Sequence, residues 1–361
     1  MIKKDTKVLF VVDSLGSGGA GRVVAILAEQ LAKEYSVYLA DFTTDRDCYV
    51  TSKNLKIFHL RKDASSNNLS FLKKCNLIRE VALQNQINIV ISFGADMNIY
   101  TSVASLFAPW KLIISIRNNP YTSPTNRKLR IMRFLLYRFA DGFTFQTEDE
   151  KLYFSKRIQS RGTVIENPVN ANIPEPYDGV RDKRVVMVGR LNKQKNYPMA
   201  IEAFRIVHQY FPDYKLEIYG DGELKNELNI LIAQNGLCDC VSMMGHVDNV
   251  WEKTRCAGLY IMTSDYEGMS NALIEAMAMG IPSISTDHPI GGARQLIIDK
   301  YNGLLSDVGN IKMFANKMLY LIENPEFAED ISKRSSEIRV RLSAKKIADR
   351  WREYINNILM K

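Results

Sequence analysis

No long apolar run and no usable set of cysteines occur in these 361 residues, and each shortage narrows what the chain can be. The apolar run at 8–12, behind the basic start Met1-Ile2-Lys3-Lys4, is far too short for a signal-peptide core or a membrane span. It reads as a strand. The five cysteines, Cys48, Cys75, Cys238, Cys240 and Cys256, are scattered and odd in number. That argues against a disulfide framework, and Cys238-Asp239-Cys240 lacks the second pair that a zinc site needs. Structural thiols in a reduced cytoplasm are the expectation. No D-x-D motif is positioned as a metal site, and no low-complexity segment or short repeat appears. With 46% apolar and 24% charged residues, the composition fits neither a disordered chain nor a membrane-spanning one.

What is present is a double series of strand and helix signals. Short β-branched runs at 8–12, 37–42, 87–93, 111–116 and 142–146 alternate with helical patterns, the βαβ alternation of a parallel sheet. After a gap the alternation restarts, with strands at 184–188, 215–219, 241–244, 258–262 and 283–287 and helices at 197–210, 222–235 and 271–279. The gap holds Pro174 and Pro176 without periodicity, so it reads as a linker. The expectation is an α/β protein of two doubly wound domains, 1–170 and 184–340, with a linker at 171–183 and a closing helix at 341–361. That helix would carry an apolar stripe through Ile347, Trp351, Tyr354 and Ile358. Ligands of such folds sit at the carboxyl ends of the strands.

Charge is unevenly spread. Residues 1–180 hold 24 Lys and Arg against 17 Asp and Glu, net +7, which leaves 24 against 23, net +1, for residues 181–361. Part of the excess lies in Arg127-Lys128-Leu129-Arg130-Ile131-Met132-Arg133-Phe134-Leu135-Leu136-Tyr137-Arg138, with no acid between Pro120 and Ala140. Two readings compete: a helix lying on an anionic membrane surface, or a surface helix whose apolar stripe belongs to the core. Nothing in the pattern calls for nucleic acid.

Gly16-Ser17-Gly18-Gly19-Ala20-Gly21 matches G-x-G-x-x-G after a strand, and Asp41 follows 20 residues later. Alone this would suggest an NAD-dependent oxidoreductase. Asp13, Ser14 and Leu15 intervene, however, and lengthen the loop beyond the usual tight turn. The preferred reading is that Gly18 and Gly19 let backbone amides approach a phosphate or sugar at a helix start near Gly21.

The second series carries the more informative residues. Gly189-Arg190-Leu191-Asn192-Lys193-Gln194-Lys195 runs off its first strand. Arg190 offers a fork and Lys195 a point charge, which suit a diphosphate; a solvated loop of ordinary cations is the alternative. In Asp265-Tyr266-Glu267-Gly268-Met269-Ser270-Asn271-Ala272-Leu273-Ile274-Glu275, a carboxylate in a tight turn is followed by a helix start with Asn271 as a plausible N-cap. Glu267 suits sugar hydroxyls, while Glu275 is also explicable by the helix dipole alone. A glycosidase pair of carboxylates would leave Arg190 and Lys195 without a purpose.

Together the E-x7-E spacing of Glu267 and Glu275, Gly189-Arg190-Leu191 with Lys195, Tyr219-Gly220-Asp221-Gly222-Glu223-Leu224, Gly303-Leu304-Leu305 and Glu166-Asn167-Pro168-Val169 resemble the retaining GT-B glycosyltransferases of family 4. The resemblance implies two facing Rossmann-like domains, acceptor-binding and then nucleotide-sugar-binding, with the last helix returning to the first. It implies Arg190 and Lys195 on the donor diphosphate, Glu275 on the ribose, and Glu267 on the sugar, making Arg190, Lys195 and Glu267 the catalytic candidates. The backbone of Gly268, Met269, Ser270 and Asn271 would hold sugar and phosphate, that of His246 and Val247 the nucleobase, and Gly189, Gly18 and Gly19 would face the donor. Many members carry a histidine where this chain has Arg117 and Asn118, candidates for the acceptor or anomeric side. Asn196 replaces a frequent glycine, which an exposed loop would tolerate.

The implied reaction moves a hexose or N-acetylhexosamine from a nucleoside diphosphate sugar, UDP favoured, to an acceptor hydroxyl, without cofactor or metal. Bacterial enzymes that extend lipid-linked oligosaccharides are the nearest resemblance, so a polyprenyl-diphosphate-linked acceptor at the inner membrane face is expected. A nucleotide-sugar epimerase of the same fold, or a binding subunit without turnover, remains an alternative.

Overall fold

Strands that are apolar throughout, rather than alternately, must be buried on both faces, and that is how this chain uses them. The computed structural model describes residues 6–16, 18–43, 49–50, 52, 55–61 and 69–361. Ser17 of the glycine loop, Cys48 and the first five residues lie outside that set. Two units emerge: Met1–Pro168 with Ala344–Lys361, and Val169–Ser343.

In the first unit the elements are β1 (Lys7–Val11), α1 (Gly18–Leu31), β2 (Ser36–Asp41), β3 (Lys56–His59), α2 (Phe71–Gln84), β4 (Ile89–Phe93), α3 (Ala95–Ala104) and β5 (Lys111–Ser115). They continue with α4 (Arg127–Leu136), β6 (Gly142–Phe145), α5 (Glu148–Leu152), α6 (Lys156–Gln159) and β7 (Gly162–Val164). Its seven-stranded sheet has the order β3-β2-β1-β4-β5-β6-β7, and every pairing is parallel, as in Val8↔Val37 and Val8↔Ile89. All five residues of β4 are buried. The order reverses between β1 and β4, so the loops after those strands meet at the switch point.

The second unit repeats the plan with β8 (Asp182–Val188), α7 (Tyr197–Tyr210), β9 (Lys215–Tyr219), α8 (Lys225–Gln234), β10 (Val241–Gly245), α9 (Val250–Thr254), β11 (Ala257–Met262) and α10 (Asn271–Ala278). It closes with β12 (Ser283–Thr286), β13 (Leu304–Ser306), α11 (Ile311–Glu323), α12 (Pro325–Ser336) and α13 (Ile338–Arg341). The parallel order β10-β9-β8-β11-β12-β13 puts its switch point between β8 and β11. Phe204 on α7 and Phe314 on α11 fill the core beside Val185, Ile218 and Ile261.

α14 (Ala344–Leu359) belongs to the first unit. Its Ile347, Trp351, Ile355 and Ile358 are buried at helical spacing. Trp351 stacks on Phe93, ring centroids 5.7 Å apart. The expected stripe member Tyr354 has a polar task besides: its hydroxyl accepts from Phe143 N at 2.8 Å and donates to Arg161 O at 2.5 Å.

Of the two readings of the basic stretch, the one that gives its apolar stripe to the core holds for one face of α4. Leu129, Met132 and Leu136 pack against the core. Arg130 donates to Pro124 O and Thr122 O, and Arg133 to Pro120 O, Ser123 O and the Tyr153 hydroxyl. Ile131, Phe134, Leu135 and Phe139 stay exposed among Arg127, Lys128 and Arg138. No helix among the described residues is long and apolar enough to cross a membrane.

Candidate functional site

At the switch point of the second unit the loops leaving β8 and β11 are stitched together. Asn196 is the main stitch. It ends the turn Lys193–Lys195 and caps α7 at φ 46° and ψ 52°, with its Oδ1 accepting from Met199 N. Its Nδ2 donates to Asp265 Oδ1 at 2.7 Å. Asp265 N donates in turn to Gln194 O, and the Thr263 hydroxyl lies 3.0 Å from Lys195 O and 2.9 Å from Asn196 O. The expectation of a tolerant exposed loop is therefore corrected: Asn196 is half-buried and left-handed. A left-handed residue is also why a glycine suits this position.

The stitching brings Lys195 and Glu267 into contact. Lys195 Nζ lies 2.5 Å from Glu267 Oε1, with the two side chains only 15% and 12% exposed. Ser264 donates to the same oxygen at 3.1 Å. Gly189 leaves room for the lysine stem, since a Cβ there would sit 3.1 Å from Lys195 Cε. The sequence assigned this cation and carboxylate to separate ligand groups; the structure joins them as an ion pair.

His288, on the loop after β12, is fully buried, and its Nε2 has no partner among the described residues. Burial pushes the imidazole below its ordinary range, against the opposing pull of Glu267. This loop packs directly on the Glu267 turn: a Cβ at Gly292 would meet Gly268 O at 1.8 Å and His288 Cε1 at 3.1 Å. Only glycine fits there.

Helix α10 starts one residue earlier than expected for its cap. Ser270, not Asn271, is the N-cap, its hydroxyl accepting from Leu273 N. The serine has the extended backbone that a cap requires (ψ 119°), while Asn271 is already helical. Gly268, Met269 and Ser270 are buried in the turn. Glu275, 7% exposed, accepts from Trp251 Nε1 at 2.8 Å. Buried Tyr260 lies close to both carboxylates: desolvation first, then Tyr197, Glu267 and Glu275, drive its phenol well above the ordinary range. Arg190 is exposed, without a hydrogen bond or ion pair from its guanidinium among the described residues. His246 is also exposed, its Nε2 3.7 Å from Asp248 Oδ1, and Val247 beside it is half-buried.

In the first unit α1 begins at Gly18, not near Gly21. Gly18 has φ 78°, and a Cβ on Gly21 would strike Ser14 O at 2.2 Å. The loop therefore needs its glycines for folding, and Gly18 and Gly19 are exposed at the helix start. Asp41 is not offered to any ribose: it is fully buried, with Oδ2 accepting from Leu15 N at 3.1 Å and Oδ1 2.8 Å from His59 Nδ1. This removes the acid on which the dinucleotide reading depended.

Arg117 is similarly committed. Its Nε donates to Ser115 Oγ at 2.7 Å and its Nη1 to Asn167 Oδ1 at 2.8 Å, and the guanidinium lies 4.4 Å from the Phe93 ring. Burial draws it down to about 9, which leaves it charged at neutral pH. Nearby, Glu150 is fully buried and pushed up to about 8, chiefly by desolvation. Asn118 spends its Oδ1 on Asn119 N.

Ser264, Trp251, His288 and Asp265 were missed by the sequence reading. All four act through contacts with residues distant along the chain or through burial, and no spacing announces them.

Known proteins bear out the outline. Residues 173–337 match the family described as glycosyl transferases group 1. A Campylobacter jejuni relative, a GalNAc-α-(1→4)-GalNAc-α-(1→3)-diNAcBac-PP-undecaprenol α-1,4-N-acetyl-D-galactosaminyltransferase, is 27% identical over 98% of this chain and 99% of its own. The amylovoran biosynthesis glycosyltransferase AmsD of Erwinia amylovora is 24% identical over 97% and 99%. Among solved structures, Anabaena HepE in complex with UDP-glucose superposes with a TM-score of 0.84 at 19% identity over 97% and 99% of the two chains. Sucrose-phosphate synthase of Thermosynechococcus elongatus gives 0.85 at 16% over 98% and 99%. The match to glycosyl transferases group 1 thus falls within the second unit, and the chain is a glycosyltransferase of GT-B fold with relatives among bacterial polysaccharide glycosyltransferases.

Proposed function

We propose that the enzyme transfers a hexose or N-acetylhexosamine from a UDP-sugar to a hydroxyl of a lipid-linked glycan, with retention at the anomeric carbon, in bacterial surface polysaccharide synthesis. The observation that carries this is the Lys195–Glu267 pair at the carboxyl ends of β8 and β11, with Glu275 one helix turn into α10. Cation and carboxylate hold each other in a part-buried site, so a diphosphate meets a charge already in place and a sugar meets a fixed acceptor of hydroxyl bonds.

In this reading Lys195 and the exposed Arg190 bind the diphosphate, Glu267 the sugar, Glu275 the ribose, and the loop of His246 and Val247 the nucleobase. Amides of Gly268, Met269, Ser270 and Asn271 at the positive end of α10 share the phosphate charge. The bond from anomeric carbon to phosphate oxygen breaks, the acceptor oxygen takes its place, and the acceptor proton leaves with the diphosphate. The first unit takes the acceptor, with Arg117 and Asn118 after β5 as the candidates for the acceptor or anomeric side. The relative that acts on an undecaprenol-linked glycan supports a lipid-linked acceptor.

Exposed Ile131, Phe134, Leu135 and Phe139, set among Arg127, Lys128 and Arg138, support placing the first unit on the anionic inner face of the plasma membrane. Flotation with anionic vesicles at low salt tests this part; no binding would remove the membrane and leave the transferase.

The site itself is tested by thermal shifts with UDP, GDP, ADP and NAD. A ligand at 100 times its dissociation constant adds about 2.7 kcal/mol of stability. A UDP shift lost in Arg190→Ala and in Glu275→Ala is the expected result. No shift with UDP, or one that both variants keep, would sink the assignment.

A further inference from the structure

Glu275 is held by a residue that the reading above does not use. Trp251 lies on α9, immediately after the loop that carries His246 and Val247, and its indole N–H reaches 24 residues along the chain to Glu275 Oε2 at 2.8 Å. An indole N–H can only donate. Trp251 is half-buried, so water could satisfy that donor, whereas Glu275 is 7% exposed. The bond therefore serves the carboxylate more than the indole. Around it Val188, Tyr260, Ala276 and Met279 line a cavity of about 10 Å³, room for roughly one water. The ring is backed by side chains rather than left to swing.

We infer that Trp251 is a positioning residue: it fixes the plane of the Glu275 carboxylate for a ribose diol and ties that recognition to the nucleobase loop. A glutamate on a helix turns about three side-chain bonds, and a diol reads the orientation of the carboxylate as well as its charge. A charge-assisted bond to one oxygen removes the rotation about the last of these bonds before the nucleotide arrives, which is affinity gained by preorganisation. The same bond holds the start of α9, and hence the end of the nucleobase loop, against α10. This inference rests on the proposed role of Glu275 in binding ribose.

The test compares UDP with 2′,3′-dideoxy-UDP by calorimetry on the full chain, in the wild type, Trp251→Phe and Glu275→Gln. Phenylalanine keeps an aromatic ring and removes the donor. The expected result is that Trp251→Phe lowers the preference for UDP about tenfold, roughly the worth of one such bond. Affinity for the dideoxy nucleotide and the melting temperature of the unliganded protein stay unchanged. If Trp251→Phe weakens both nucleotides equally, its role is packing and the inference is overturned. Loss of preference in Glu275→Gln alone overturns the inference and leaves the ribose reading standing. Absence of preference in the wild type, or full preference in both variants, removes the ribose reading and this one with it.

Discussion

Lys195 and Glu267 show at residue scale why a site can cost stability. Each is desolvated, and each is tolerated because the other is 2.5 Å away. Removing one leaves a part-buried charge alone, which is worse than removing both. Lys195→Met should therefore destabilise the protein by about 2 kcal/mol and lower kcat by on the order of a hundredfold. The double variant Lys195→Met with Glu267→Gln should recover part of the stability and none of the activity. Urea unfolding of the four proteins measures the coupling, and strict additivity would show that the pair is only a surface contact. His288 sets a second expectation, in pH. Its folded pKa lies below the ordinary 6.5 because of burial, so around and below that pH the unfolded chain binds more protons than the folded one. Its contribution to stability is fully present above 6.5 and is lost as pH falls toward the folded value. His288→Asn should flatten the decline of the urea midpoint from pH 7 down to pH 5, and parallel curves for wild type and variant would refute this. How much of this was legible is uneven. Lys195, Glu267 and Glu275 stand out by charge and spacing on strand ends, but their pairing and the burial of His288 arise only when three loops pack.

At the scale of elements, the loop-to-helix junction at Asn196 does three jobs: it takes φ 46°, caps α7 and bonds Asp265. Alanine removes the cap, costing about 1 kcal/mol, and adds about 1 kcal/mol of left-handed strain. Asn196→Gly loses the Asp265 bond too but relieves the strain, and glycine is itself a passable cap, so it should cost about 1 kcal/mol less than alanine. Thermal unfolding of the two variants decides; equal losses would mean that strain is not what the position selects against. The strands show what sequence can give at this scale. Continuous apolar runs such as β4 mark buried parallel strands, and those were read within a residue or two. The strands missed, β3, β7 and β13, span four, three and three residues. All three lie at or next to a sheet edge, β3 and β7 being only partly buried. Such segments become strands because a longer neighbour offers its free backbone groups, and their own residues say little.

At the scale of the whole molecule, a unit need not be one stretch of chain. The first 168 residues are completed by the last 18, Ala344–Lys361. The apolar stripe of α14 specifies only that some core exists, and the expectation that the helix returns to the first unit came from the family resemblance rather than from the stripe. Trp351 is what fits it to this one: fully buried, stacked on Phe93, with the Arg117 guanidinium 5.8 Å from its ring. Phe93 in turn lies 5.9 Å from Phe10 on β1, so the tryptophan supports both strands of the switch point. Its Nε1 has no partner among the described residues, so the ring contributes packing and no hydrogen bond. Trp351→Ala should accordingly destabilise the first unit by about 3–5 kcal/mol through the cavity it leaves, while Trp351→Phe should retain at least half of that. Hydrogen exchange gives the readout by unit. In Trp351→Ala, protection should fall in β1 and β4 while β8 and β9 keep theirs, since only the first unit loses packing. An equal loss in all four strands would mean that the two units unfold as one, and that α14 stabilises more than the unit to which it belongs.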